Sequence, residues 1–239
     1  MVAHSRFWIA AAPCLAALPV ILTLTIGVPP PAGPPADLAE GDEREGVVQC
    51  ANLIYAQDKS SICFSDAFLA QIQKDTNIRT NRRFYPVKLD SPEIYRYPFA
   101  VMTGEGSFSL PDVQRQNLRN YLTRGGFLVA SAGCSSSPWS VSFRAEIRRI
   151  FPKRELKKLP LSHPVYHTVY DIKELRTKRS DVKALLEGLE IDGKIVLIYS
   201  PEGLNDTANT GPGCCCCGGN EILNAQQVNV NLLAYALIH

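Results

Sequence analysis

The stretch Tyr97-Pro98-Phe99-Ala100-Val101-Met102-Thr103-Gly104-Glu105-Gly106 and its continuation, Leu118-Arg119-Asn120-Tyr121-Leu122-Thr123-Arg124-Gly125-Gly126-Phe127-Leu128 through Ser131, decides the fold. Phe99 to Met102 is a short apolar run, the signature of a strand covered on both faces. It breaks at Thr103-Gly104-Glu105-Gly106. Ser109-Leu110-Pro111-Asp112 then has the form of a capping box with an early proline, so a helix is expected from near Pro111. Its expected inner face is Leu110, Val113, Leu118, Tyr121 and Leu122, and Gly125-Gly126 stops it before a second strand, Phe127 to Ser131. The unit is strand, helix, strand.

The same alternation extends both ways. Upstream, Val47 to Ala56 reads as a strand, and Phe64, Phe68, Leu69 and Ile72 follow at helical spacing. Downstream, Ser137-Pro138 opens a helix with Phe143, Ile147, Ile150 and Phe151 on one face, ended by Pro152. A basic, loop-rich stretch runs to about Asp192, Ile195 to Tyr199 is a buried-type strand, and Glu221 to Ile238 is a closing helix. The fold class is therefore α/β: a three-layer, doubly wound, mostly parallel sheet. Ligands of such sheets gather at the carboxyl ends of the strands. The loops expected there are Thr103 to Ser109, Cys134 to Ser137 and Ser200 to Asn220.

The chain has 239 residues, a net charge of +2 and 8% aromatic content, which gives no global signal for nucleic acid as a partner. From Phe7 to Val28 there is no charged residue, with Arg6 before it and Asp37 well after it. That run exceeds the apolar core of about 7 to 15 residues in a cleaved signal and is long enough for a bilayer, so residues 1–28 read as a signal peptide or membrane anchor. Residues 29–45 form a proline-rich linker, and residues 46–239 a single domain. The expected location is outside the cytosol, on the periplasmic or cell-envelope side. Arg6 favours an inside amino terminus, so an uncleaved segment anchored in the inner membrane delivers the domain to the same side.

Tyr97 to Gly104, Leu118 to Leu128, Ser162-His163-Pro164-Val165-Tyr166-His167 and Val230-Asn231-Leu232-Leu233-Ala234-Tyr235-Ala236-Leu237 together resemble a bacterial family of unknown function, the one numbered 4159. The resemblance spans roughly Val47 to His239. It implies an envelope location and a fold similar to the class I glutamine-amidotransferase-like, flavodoxin-related sheet, with no established reaction. Relatives carry an aspartate-containing turn where this chain has Ser131-Ala132-Gly133-Cys134, which ties any Cys134 site to a cysteine-rich subgroup.

Cys214, Cys215, Cys216 and Cys217 are consecutive, between Gly213 and Gly218-Gly219-Asn220. In an extended run alternate side chains point opposite ways, so these four cannot all converge on one ion. Zinc takes four ligands in a tetrahedron, and Cys134 together with His163 and His167 are the candidates to complete such a site. An iron-sulfur cluster is disfavoured in a domain exported unfolded. Each histidine also has a structural explanation, His163 as the cap of a helix that follows Pro164 and His167 as a residue on the surface of that helix. A redox site is the second possibility. Cys50, Cys63, Cys134 and the four make seven cysteines, an odd number that excludes complete pairing, and a bridge from the run to Cys134 or another loop is easier than one between neighbours. Asn220 is expected to cap the last helix, whose dipole then favours thiolate. Third, Ala132-Gly133-Cys134-Ser135-Ser136 has the small residues of a nucleophile elbow, with His163 as base.

Two weaker features complete the reading. Thr103 to Gly106 offers amides to an anion or makes a tight turn. Between Arg144 and Lys183 there are twelve basic residues against five acidic ones, an excess of seven that faces lipid headgroups, an acidic envelope partner or solvent. The sequence thus describes an exported or membrane-tethered envelope protein with a cysteine-rich metal-binding or thiol-redox site. The alternatives are a non-catalytic binding or scaffold module and a cysteine-dependent hydrolase or amidotransferase-like enzyme.

Overall fold

A computed structural model describes residues 46–60, 63–179, 181, 183–211, 214 and 219–239. The chain divides into two compact units, Met1–Asp42 and Glu43–His239, and every described residue belongs to the second. The expected signal or anchor, the proline-rich linker, Cys215, Cys216 and Cys217 lie outside the described residues. Among the described residues no helix is long and apolar enough to cross a membrane.

Strands β1 (Val47–Ile54), β2 (Arg79–Lys88), β3 (Phe99–Gly104), β4 (Phe127–Ala132), β5 (Lys157–Lys158), β6 (Glu187–Ile191) and β7 (Lys194–Ser200) form one sheet in the order β2-β1-β3-β4-β7-β6-β5. The first five in that order run parallel, and β6 and β5 extend the sheet antiparallel at one side. Helices α1 (Ala67–Asp75) and α4 (Ala225–Ile238) pack on one face, α2 (Asp112–Thr123) and α3 (Ser137–Ile150) on the other.

The period of two along the central strands explains why their sequences are apolar without a break. Phe99 and Val101 of β3 face α1 and α4, while Ala100 and Met102 face α2 and α3. Two cores therefore share each strand. Helix α4 is buried almost all round, and its two asparagines bind neighbouring backbone: Asn229 donates to the Leu204 carbonyl (2.9 Å), and Asn231 accepts from the amides of Val169 (3.0 Å) and Tyr170 (2.8 Å). Gly126 is set by a close approach, because a Cβ there would lie 2.3 Å from the Tyr121 ring, whose hydroxyl donates to the carbonyls of Tyr97 (2.9 Å) and Phe127 (3.1 Å).

Three expectations are corrected. Val113 is exposed and Gln114 buried, because Gln114 Oε1 accepts the Ala56 amide (2.8 Å) and turns that face of α2 inward. Ser109 does not cap α2; its hydroxyl donates to buried Glu146, which also binds Arg115 (2.7 Å) and Arg149. The stretch after Pro152 is not only loop, since it contains β5 and β6, the latter joined to β7 by an Asp192-Gly193 turn with both residues at positive φ.

Candidate functional site

At the carboxyl end of β4 the chain makes an unusual turn. Gly133 is followed by Cys134 at φ 50°, ψ 31° and Ser135 at φ 54°, both left-handed, and Ser136 then accepts the Trp139 amide at the start of α3. Non-glycine residues hold such angles at a cost of about 1–3 kcal/mol each, which the surroundings must impose. They do. The Ser135 hydroxyl donates to the Glu202 carbonyl (2.7 Å) and accepts the Asn220 amide (2.8 Å), so it ties both ends of the loop after β7 to this turn. Gly219 lies against the same backbone: a Cβ on it would come within 2.3 Å of the Cys134 carbonyl carbon.

The loop is fastened at a second point. Cys214 is bonded to Cys63 in the loop after β1, with Cα atoms 5.1 Å apart across a sequence separation of 151. Beside that bond, the Ser65 amide donates to the Asn205 carbonyl (2.8 Å) and its hydroxyl to the Asn209 carbonyl (2.9 Å). Cys214 is thus joined to the loop after β1, and Gly219 and Asn220 to the turn that carries Cys134. Behind it the side chains of Thr103 and Ser131, fully buried, both donate to Asn205 Oδ1, at 3.2 and 2.6 Å, while Asn205 Nδ2 has no hydrogen-bond partner among the described residues.

Carboxyl groups surround this loop. Glu221 is 6% exposed; its Oε2 accepts the Thr207 hydroxyl (2.7 Å), it also accepts the Cys134 amide, and its Oε1 has no partner among the described residues. Burial pushes its pKa above the usual range, with Thr207 and Lys178 pulling it back. Burial likewise raises Asp206, against the pull of Asn209, and Glu202. Asp206, Thr207, Glu221 and Lys178 line a cavity of about 270 Å³. A carboxyl with a raised folded-state pKa contributes full stability below its unfolded value, near 4.5, and loses it as pH rises through the folded value. Glu221→Gln, fixed in the neutral form, is therefore expected to gain stability relative to wild type as pH rises from about 4.5 to the folded value, and to keep that gain above it. Urea unfolding at a series of pH values measures the gain, and a pH-independent difference would refute it.

The structure does not gather the rest of the predicted site. His163 caps a short turn by accepting the Val165 amide at Nδ1 (3.2 Å), and its ring lies 6.0 Å from that of Tyr235. Tyr235 in turn packs on Phe127, the first residue of β4, so His163 sits at the amino end of the sheet and Cys134 at the carboxyl end. His167 has both ring nitrogens engaged, with Asp171 (2.7 Å) and the Leu161 carbonyl (2.6 Å). Neither histidine reaches Cys134 as ligand or base, and the disulfide removes Cys214 from the thiolates. Among the described residues no group of three or more His, Cys, Asp or Glu is arranged to hold a metal. Asn220 does not cap α4, which starts only at Ala225; its side chain accepts the Arg179 amide (2.8 Å), and the dipole argument for the cysteine run falls with it.

Thr103 to Gly106 is structural. A Cβ on Gly104 would lie 2.4 Å from the Tyr55 hydroxyl, and the Gly106 amide donates to Ser136 (3.1 Å). Cys50 is buried within β1, where burial pushes its thiol far up. Sequence reasoning missed Glu221, Asp206 and Glu202; their positions on the loop after the last parallel strand were the available signal.

A search of curated proteins finds no match. The family described as Domain of unknown function (DUF4159) matches residues 51–237, from within β1 to the last turn of α4, so it takes in part of β1, all the other parallel strands and the loops at their carboxyl ends. The chain belongs to the DUF4159 family.

Proposed function

We propose that the domain carries out thiol–disulfide exchange on the outer side of the membrane, with Cys134 and the cysteines of the 215–217 segment as the reacting pair. The observation that carries this reading is that Cys214 is bonded to Cys63, while Gly219 and Asn220, on the other side of the cysteine run in sequence, are held against the left-handed turn at Cys134. A stable disulfide fits an oxidising compartment, which supports export by residues 1–28. Cys63 and Cys214 are joined to each other and Cys50 is buried, so the reading assigns the exchange to Cys134 and the cysteines of the 215–217 segment. The fold class we infer is flavodoxin-like, of the class I glutamine-amidotransferase-like kind. The order β2-β1-β3-β4-β7 follows the flavodoxin pattern, and Cys134 stands at a strand-to-helix turn of the kind that presents a nucleophile.

In the exchange, one thiolate of the domain attacks a sulfur of a partner disulfide. The partner's other sulfur leaves with the bonding electrons and takes a proton from water. A second cysteine of the domain then displaces the partner from the mixed disulfide, so two electrons and two protons pass to the partner and the domain is left oxidised. Acyl transfer by Cys134 has less support, because the histidine expected as its base lies at the other end of the sheet.

The test uses the full chain equilibrated in glutathione buffers, quenched and mapped by mass spectrometry. Cys134 is expected to switch between thiol and a disulfide with one of Cys215 to Cys217, with Cys63–Cys214 unchanged and the switch lost in Cys134→Ser. A Cys134 whose state never changes sinks the exchange reading. Stoichiometric zinc bound to the reduced protein and lost in Cys134→Ser would replace it with the metal site.

A further inference from the structure

At the opposite end of the molecule α3 stops at Ile150, and the chain turns back through Pro152, Lys153 and Arg154 toward β5. A cavity of about 540 Å³ opens there, faced by Arg148, Lys153, Arg154 and Lys157 and by two carboxylates, Glu155 and Glu190. Its size is that of an ordinary ligand pocket, about 300–1,000 Å³. Some basic residues of this region are paired elsewhere, Arg144 with Glu187 (2.6 Å), Lys173 with Asp171 (3.3 Å) and Arg179 with Asp181 (3.2 Å). Arg148, Lys153 and Lys157 pair with no carboxylate among the described residues. Arg154 is held in place by the Glu190 carbonyl (3.0 Å) and the exposed Asp192 (3.2 Å). Three cations without a carboxylate partner among the described residues thus face one concave site.

A second cavity of about 220 Å³ shares Arg148, Arg154 and Glu155 and adds apolar Ile147 and Leu156. Guanidinium groups match phosphate oxygens as two-pronged donors, lysines add compact charge, and the apolar wall accepts carbon next to the ester. The combination suits a phosphate ester attached to hydrocarbon better than a bare anion. Position agrees with chemistry. The β6–β7 hairpin, closed at Ile191 and Lys194, places the cavity at the amino end of the parallel strands, and Val47 opens β1 at that same end. Gly46, the first described residue, precedes Val47 and so lies at the end that carries the cations. We propose that this cleft binds the phosphodiester headgroup of an anionic phospholipid.

The full chain, held in nonionic detergent, is titrated calorimetrically with dihexanoyl phosphatidylglycerol, dihexanoyl phosphatidylcholine and inorganic tripolyphosphate. Saturable binding of phosphatidylglycerol is expected, none of phosphatidylcholine, and weaker competition by tripolyphosphate. Arg148→Glu/Lys153→Glu/Lys157→Glu should weaken phosphatidylglycerol binding at least about tenfold. The milder Lys153→Gln/Lys157→Gln should weaken it in the same direction, and circular dichroism checks that both variants fold. Lys74→Glu/Lys88→Glu/Arg124→Glu, which reverses three exposed charges elsewhere, should leave binding intact. Equal weakening by this control would make the effect one of bulk charge and overturn the proposal, as would no binding by wild type. Tripolyphosphate binding without phosphatidylglycerol binding would assign the cleft to a soluble phosphate and overturn the lipid source.

Discussion

Replacing both Cys63 and Cys214 with serine is expected to lower the free energy of unfolding by about 4 kcal/mol. The bond closes a loop of 151 residues, and chain entropy for a loop on the order of 150 residues gives close to 5 kcal/mol before any strain or residual structure is counted. The native arrangement should survive, because Ser65 still joins the same two loops through Asn205 and Asn209. The loss therefore falls mainly on the unfolded chain, which becomes freer. The double variant avoids leaving a lone thiol beside Cys215. Guanidinium unfolding with and without a reductant measures the effect: wild type in reductant should approach the variant. Equal midpoints for wild type in both conditions would refute it.

The other large effect is expected at Trp139. This side chain is fully buried, stacked on Phe143 at 5.0 Å and 5°, and its indole N–H donates to the Tyr55 hydroxyl (2.6 Å), which donates in turn to the Thr103 carbonyl (3.1 Å). It joins α3 to the carboxyl ends of β1 and β3, directly behind the Cys134 turn. Trp139→Ala removes a large ring from a packed site and is expected to cost about 3–5 kcal/mol. Trp139→Phe keeps much of the stacking and loses the indole hydrogen bond, at a cost of about 1–2 kcal/mol, since Tyr55 retains its carbonyl partner. Urea unfolding followed by circular dichroism separates the two, and an alanine variant as stable as the phenylalanine one would show that packing here matters little.

The central layer was legible in the sequence because its strands are covered on both faces. Runs such as Phe99 to Met102 have no alternative as amphipathic surface, and α2 and α3 each present an apolar stripe. Strand β2 was not legible: it lies at one side of the sheet, exposes Arg79, Arg82, Arg83 and Lys88, and buries only Thr80 and Val87. Its strand character comes from pairing with β1, which no local pattern announces. The candidate site divides the same way. The placement of Cys134 at the carboxyl end followed from strand order alone, and the bridge from Cys214 to another loop was among the possibilities. The histidines were misassigned because a three-residue separation says nothing about which end of the sheet holds them. Glu221 was hidden because its burial depends on Gly203, Thr207 and the Cys134 amide, all brought to it by folding.

The parallel strands also act as a ruler. β4 has six residues and β7 seven, so at about 3.3 Å per residue some 20 Å of hydrogen-bonded backbone stand between the cysteine end and the basic end. That spacing is set by the sheet, and no rearrangement of loops can shorten it. Molecules engaged at the two ends cannot touch through a shared side chain, and neither obstructs the other's approach. Whatever binds at one end leaves the other open.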